Sequence, residues 1–186
     1  MSVTAISSEE LNALLFDAYI SGLVDGEGCF SFHFEESRWS ASFASFGVGL
    51  RLDDAPVLRR IQRRFRCGRI KIDPGGGPKA NPRATLLVTN VTELASNVIP
   101  FFLKNPLQAK KARDFDIWKE IIFLLLKIKT RPNKQTRYGR AAKWESEEAD
   151  QLQILSNQLK ETRKYVGPSP EEVRERMRQR NGRSLS

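Results

Sequence analysis

The stretch Tyr19-Ile20-Ser21-Gly22-Leu23-Val24-Asp25-Gly26-Glu27-Gly28-Cys29-Phe30 constrains the fold of this chain more than any other. Helical spacing runs into it, with apolar residues at Leu11, Leu14, Leu15, Ala18, Leu23 and Val24. Strand alternation runs out of it, with Phe30, Phe32 and Phe34 set against Ser31, His33 and Glu35. A helix is expected from about Ser8 to Val24. Ser7 and Glu10 open it as a capping box, and the positive φ available to Gly26 or Gly28 closes it. The carboxylates of Asp25 and Glu27 then stand at a helix C-terminus, whose partial negative charge repels each by up to about 1 kcal/mol. No Lys or Arg occurs before Arg38 to offset this. In one reading Asp25 caps a turn and Glu27 is solvated. In the other the pair holds a divalent cation such as Mg²⁺, which takes one or two carboxylates with waters and substrate phosphates.

Charge is distributed unevenly around this junction. Of the 22 acidic residues, seven lie in residues 1–37, leaving 31 basic against 15 acidic residues beyond them. An acidic focus inside a basic body suits a nucleic-acid enzyme better than a membrane binder. Cys29 and Cys67 are too few for a disulfide framework, and no Cys/His cluster has zinc spacing. The longest apolar run, Ile121 to Leu126, is far short of a membrane span, and a soluble, intracellular protein is expected, in an organelle or a bacterial cytoplasm.

Beyond the first strand the pattern predicts a second from Trp39 to Leu52. A bulge or bend is expected near Ser45, because Phe43 and Phe46 fall out of phase. Asp53 or Asp54 and Pro56 mark a short helix with Val57, Leu58, Ile61 and Phe65 inward. Two strands follow, one starting after Gly68 and one over Arg83–Thr89, joined by a loop through Gly75-Gly76-Gly77 that lacks the context of a phosphate-binding P-loop. Helices are expected at about Val91–Phe102, Gln108–Lys129 and Glu145–Tyr165, the last two separated by a basic loop. Residues 1–165 read as one domain, and 166–186 as a basic tail or marginal helix. The order α-β-β-α-β-β-α makes this an α+β chain: one antiparallel sheet with helices on one face.

The other sheet face needs an occupant. Alternation assigns to it Ser31, His33, Glu35, Ser40, Ser42, Arg69, Lys71, Asp73, Arg83, Thr85 and Thr89. Arg38, Arg51, Lys79 and Asn81, with Arg137 and Arg140 of the basic loop, complete the DNA-facing set. Hydrogen-bonding and cationic side chains on one face of a curved ribbon suit base edges and phosphates in the major groove. A merely solvated face has the same pattern, and the basic excess with its acidic centre favours double-stranded DNA.

At Ile20-Ser21-Gly22-Leu23-Val24-Asp25-Gly26-Glu27-Gly28 the sequence resembles the LAGLIDADG motif of homing endonucleases. The likeness continues through Phe101-Phe102-Leu103-Lys104-Asn105-Pro106-Leu107, Lys110 to Phe115 and Trp118. It implies the same α+β fold with a DNA-reading saddle, and a site-specific, Mg²⁺-dependent endonuclease of the intron-homing kind acting on a long, near-palindromic site. It implies that the metal is held by Glu27 and the backbone of Gly26, with Asp25 structural. A basic residue supports the transition state, with Lys110 chosen and Gln108 and Lys111 beside it. One motif copy implies a homodimer packed through Ala18, Ser21 and Gly22. The motif's relatives place a polar, water-ordering residue near Gly49 and Leu50, which this chain lacks. An RNA-binding intron maturase and a catalytically silent DNA-binding regulator are the alternatives on the same scaffold. A metal hydrolase of small substrates is a third.

Overall fold

The computed structural model describes residues 6–35, 42–75, 81–131, 145–164 and 166–182. Helix α1 (Ser8–Glu27) opens as expected. The Ser7 hydroxyl accepts from the Glu10 N–H, and the Glu10 carboxylate accepts from the Ser7 N–H at 2.9 Å. It ends later than expected, running through Gly26 to Glu27, and neither Gly26 nor Gly28 takes a positive φ. Gly28, at φ −73°, donates its N–H to the Val24 carbonyl and begins β1 (Gly28–His33) directly. Its need for glycine is one of space. A Cβ there would lie 2.5 Å from Val24 Cγ1 and 2.6 Å from the Val24 carbonyl oxygen.

Strand β2 (Phe43–Arg51) pairs with β1 in unbroken antiparallel register, from Gly28 opposite Val48 to His33 opposite Phe43. The bulge expected near Ser45 is therefore not formed. Ala44, Phe46 and Val48 alternate inward without a slip, and Phe43 looked out of phase because its ring faces solvent. A 3₁₀ turn (Leu52–Asp54) leads to α2 (Ala55–Phe65), whose inward face is Leu58, Ile61 and Phe65. Asp54 stands at its N-cap without a side-chain bond, and Asp53 is engaged instead by Arg51, 2.7 Å away. β3 (Arg69–Asp73) and β4 (Arg83–Val88) complete a sheet of order β1-β2-β4-β3 among the described residues.

The helical layer continues with α3 (Val91–Glu93), a π-helical turn (Leu94–Val98) and α4 (Ile99–Lys104), then α5 (Lys111–Thr130) and α6 (Ser146–Thr162). Aromatic rings from both layers meet at the centre: Phe30 lies 5.3 Å from Phe46, 5.4 Å from Phe115 and 5.1 Å from Trp118 between ring centroids. The outer edge of β1 is covered by α5 and α6. Trp118 Nε1 donates to the Ser31 carbonyl and Arg163 to the Phe30 carbonyl. Residues expected as a tail or marginal helix form α7 (Pro170–Gly182), capped by Ser169 and Glu172, with Val173 and Met177 exposed.

Candidate active site

Helices cover one face of the sheet, and the other carries the odd-numbered residues of β1, β2, β3 and β4. Its cross-strand rows differ in chemistry. At the hairpin end His33 sits opposite Phe43, with ring centroids 5.5 Å apart, and His33 Nε2 lies 3.8 Å from Glu35. In the next row the hydroxyls of Ser31 and Ser45 bond each other at 2.7 Å, so both are already engaged. The middle row, Cys29, Gly47, Leu87 and Arg69, is small or apolar until its last member. Gly49, Thr85 and Lys71 form the fourth row, and Arg51, Arg83 and Asp73 the fifth.

Several expected readers are placed differently. Ser42 precedes β2 and closes the hairpin, its hydroxyl accepting from the Glu35 N–H at 2.8 Å, so it is a turn brace and not a strand-face reader. Phe43, expected to alternate with the serines, takes the exposed position in their place. Arg38, Ser40, Lys79, Arg137 and Arg140 lie outside the described residues.

Glu27, the last residue of α1, comes near Gly49, next to the Val48 that pairs with Gly28. Both line a cleft of about 560 Å³ with Leu50, Arg51, Asp54, Asn81 and Arg83. Glycine leaves this neighbour position of Glu27 open, and Arg83 uses the space. Its Nη2 reaches within 3.5 Å of the Gly49 carbonyl, and a Cβ on Gly49 would meet that same nitrogen at 3.4 Å. A guanidinium from β4 thus reaches across the sheet to the place beside Gly49.

Asp25 and Glu27 diverge. The Asp25 carboxylate accepts the N–H groups of Gln108 at 2.7 Å and Ala109 at 3.2 Å, bracing the loop into α5, whereas Glu27 is exposed at the cleft. The helix end, without a basic residue of its own, is neutralised from 86 positions away. Lys111 Nζ donates to the carbonyls of Asp25 at 3.0 Å and Gly26 at 2.9 Å. Lys110 turns elsewhere and donates to the Lys164 carbonyl at 2.9 Å, while the Gln108 side chain bonds the Pro106 carbonyl. The two neighbouring lysines thus make different contacts, which sequence spacing alone does not distinguish.

Glu27 and the Gly26 carbonyl offer hard oxygen donors of the kind Mg²⁺ accepts. The carbonyl has two lone pairs, and Lys111 engages one. Among the described residues no group of three or more His, Cys, Asp or Glu forms a metal site.

On the opposite side of α1, Ala18 and Gly22 are exposed together with Leu11, Leu14, Leu15 and Tyr19, and a Cβ at Gly22 would touch nothing within 4 Å. Ser21 does not belong to that surface. It is buried, and its hydroxyl donates to the Asn105 carbonyl at 2.9 Å.

A family model described as LAGLIDADG endonuclease matches residues 20–122. A probable intron-encoded DNA endonuclease 1 from Mycosarcoma maydis is 30% identical over 93 residues, which is 50% of this chain and 32% of that protein. Among solved structures, the meganuclease I-SmaMI bound to uncleavable DNA superposes with a TM-score of 0.59 at 21% identity, over 76% of this chain and 43% of that one. The homing endonuclease I-LtrWI bound to target DNA gives 0.59 at 19%, over 84% and 47%. The homing endonuclease I-TnaI gives 0.55 at 21%, over 78% of this chain and 94% of its own. The chain thus spans about a third of the curated relative and less than half of I-SmaMI and I-LtrWI.

Proposed function

We propose that this chain, which belongs to the LAGLIDADG endonuclease family, hydrolyses both strands of a long DNA site as one half of a symmetric pair, using a divalent cation, Mg²⁺. The observation that carries the reading is the meeting at one end of the sheet of an exposed Glu27, an open position at Gly49, and the cations Arg51 of β2, Arg83 of β4 and Lys111 of α5. Each has a role there. Glu27 and the Gly26 carbonyl hold the metal. Asp25, satisfied by two backbone donors, keeps the helix end and the loop in one geometry. Lys111 offsets negative charge at the helix terminus, and Arg83 faces the incoming phosphate across Gly49. A bound divalent ion lowers the pKa of its water and stabilises the leaving oxygen of a phosphodiester. Rows of polar and basic side chains on the open face hold the duplex in register.

The exposed α1 face supports a homodimer. Ala18 and Gly22 permit two helices to approach closely, and Leu11, Leu14, Leu15 and Tyr19 provide apolar area. Two Glu27 carboxylates then flank the scissile phosphates.

Cleavage selection from a randomised duplex library with Mg²⁺ tests this reading, with Glu27→Gln as the control. Wild type is expected to cut a near-palindromic site. The variant is expected to bind that site with affinity within about threefold and to lose cutting by at least 10³-fold, as expected where a group acts directly on the reacting centre. Binding without any Mg²⁺-dependent nicking by wild type would instead identify a regulator on this scaffold.

A further inference from the structure

Phe43 is the anomaly of the open face. Among the described residues its nearest neighbours there, His33, Ser31 and Ser45, are hydrogen-bonding, yet Phe43 presents a phenyl ring at 55% exposure. A lone exposed aromatic is unremarkable on an ordinary surface. This one is held in place. Its directly opposite partner His33 packs ring to ring with it at 5.5 Å and 35°, and the hairpin behind them is closed by Ser42 bonding both the N–H and the carbonyl of Glu35. A rigid ring with two torsions loses little entropy on contact, and its apolar edge has one partner among the major-groove edges of base pairs, the 5-methyl group of thymine.

Resting on the proposal that this face reads DNA, we infer that Phe43, with the His33 ring beside it, is a specificity-determining residue that selects thymine through its methyl group. The register also gives the location. Phe43 is six residues along β2 from Gly49, which lines the cleft with Glu27. At about 3.3 Å per strand residue that is roughly 20 Å, or about six base pairs at 3.4 Å each. The thymine is therefore placed about five to seven base pairs outward from the cut.

Deoxyuridine tests this, because it pairs as thymine does and lacks only the methyl group. Duplexes bound by the full-length protein are selected from a randomised library in Ca²⁺, and each thymine of the selected site is replaced singly by deoxyuridine. Wild type is expected to favour thymine in the five-to-seven window and to bind the deoxyuridine duplex about fourfold more weakly, the factor that loss of one buried methyl group implies. Phe43→Ser is expected to bind both duplexes equally, and Phe43→Leu, which keeps an apolar contact, to retain discrimination. Unchanged thermal unfolding of both variants checks the fold. Equal binding of thymine and deoxyuridine by wild type throughout the window, or discrimination surviving in Phe43→Ser, overturns the inference. A protein that binds and discriminates but never cuts upholds it while defeating the nuclease reading. Absence of any salt-dependent duplex binding defeats both.

Discussion

The two carboxylates at the α1 terminus are separated by Gly26 alone, and what distinguishes them is where each side chain leads. Asp25 turns inward to the N–H groups of Gln108 and Ala109, and Glu27 outward to the cleft. Lys111 sits between them, its ammonium donating to the backbone carbonyls of Asp25 and Gly26. Replacing it by Met removes a cation from a helix C-terminus, which costs on the order of 1 kcal/mol of stability. Cleavage is expected to suffer more, on the order of a hundredfold, because the lost charge lies where negative charge accumulates during reaction. Urea unfolding and single-turnover cleavage of Lys111→Met measure the two effects separately, and Lys110→Met serves as comparison. Since Lys110 bonds the Lys164 carbonyl instead, equal loss of cleavage in both variants would refute the distinction.

At the level of elements the junction between α1 and β1 is the exacting one. Gly28→Ala places a methyl group against Val24, in side chain and carbonyl alike, and the helix must move to admit it. A cost of about 1–3 kcal/mol is expected from such overpacking, read as a fall in the urea midpoint, with cleavage falling further because Glu27 is carried on the displaced turn. Much of this architecture was legible from periodicity. In the inward sets, Phe30 and Phe32, then Leu58, Ile61 and Phe65, are buried as their spacing predicts, and Phe34 and Val57 are half-buried against the same core. Two kinds of information were not legible. The phase of β2 depends on pairing with β1, so Phe43 could not be assigned outward from its own neighbours. The contacts of Lys111, Arg83 and Ser21 span 86, 34 and 84 positions, and local spacing says nothing about which of two adjacent side chains makes such a contact. Helix α1 carries two apolar faces, and the turn-by-turn pattern reports their sum. Only the packed structure separates Ile20 and Val24, in the core, from Leu11, Leu14 and Leu15 outside it.

For the whole molecule, that second apolar face sets the test of assembly. Because nothing lies within 4 Å of a Cβ at Gly22, a larger residue there is harmless to a single copy and obstructive to a pair. Gly22→Leu is expected to raise the stability of the monomer by up to about 1 kcal/mol through helix propensity. The same change is expected to weaken self-association at least tenfold in sedimentation equilibrium. A dimer of undiminished affinity would place the partner on some other surface. The sheet has a further consequence that concerns information. Side chains on one face of a strand recur about every 6.7 Å, close to two base-pair steps. A single strand can therefore question alternate steps only, and the row of Cys29, Gly47 and Leu87 puts its questions with short or apolar side chains. If this face reads DNA as proposed, recognition is punctuated: some positions of a long site are interrogated and others pass unread. A target that mutated at an unread step would then remain a target, so the length of the site would compensate for the sparseness of the reading and the pairing would survive drift in the sequence it depends on.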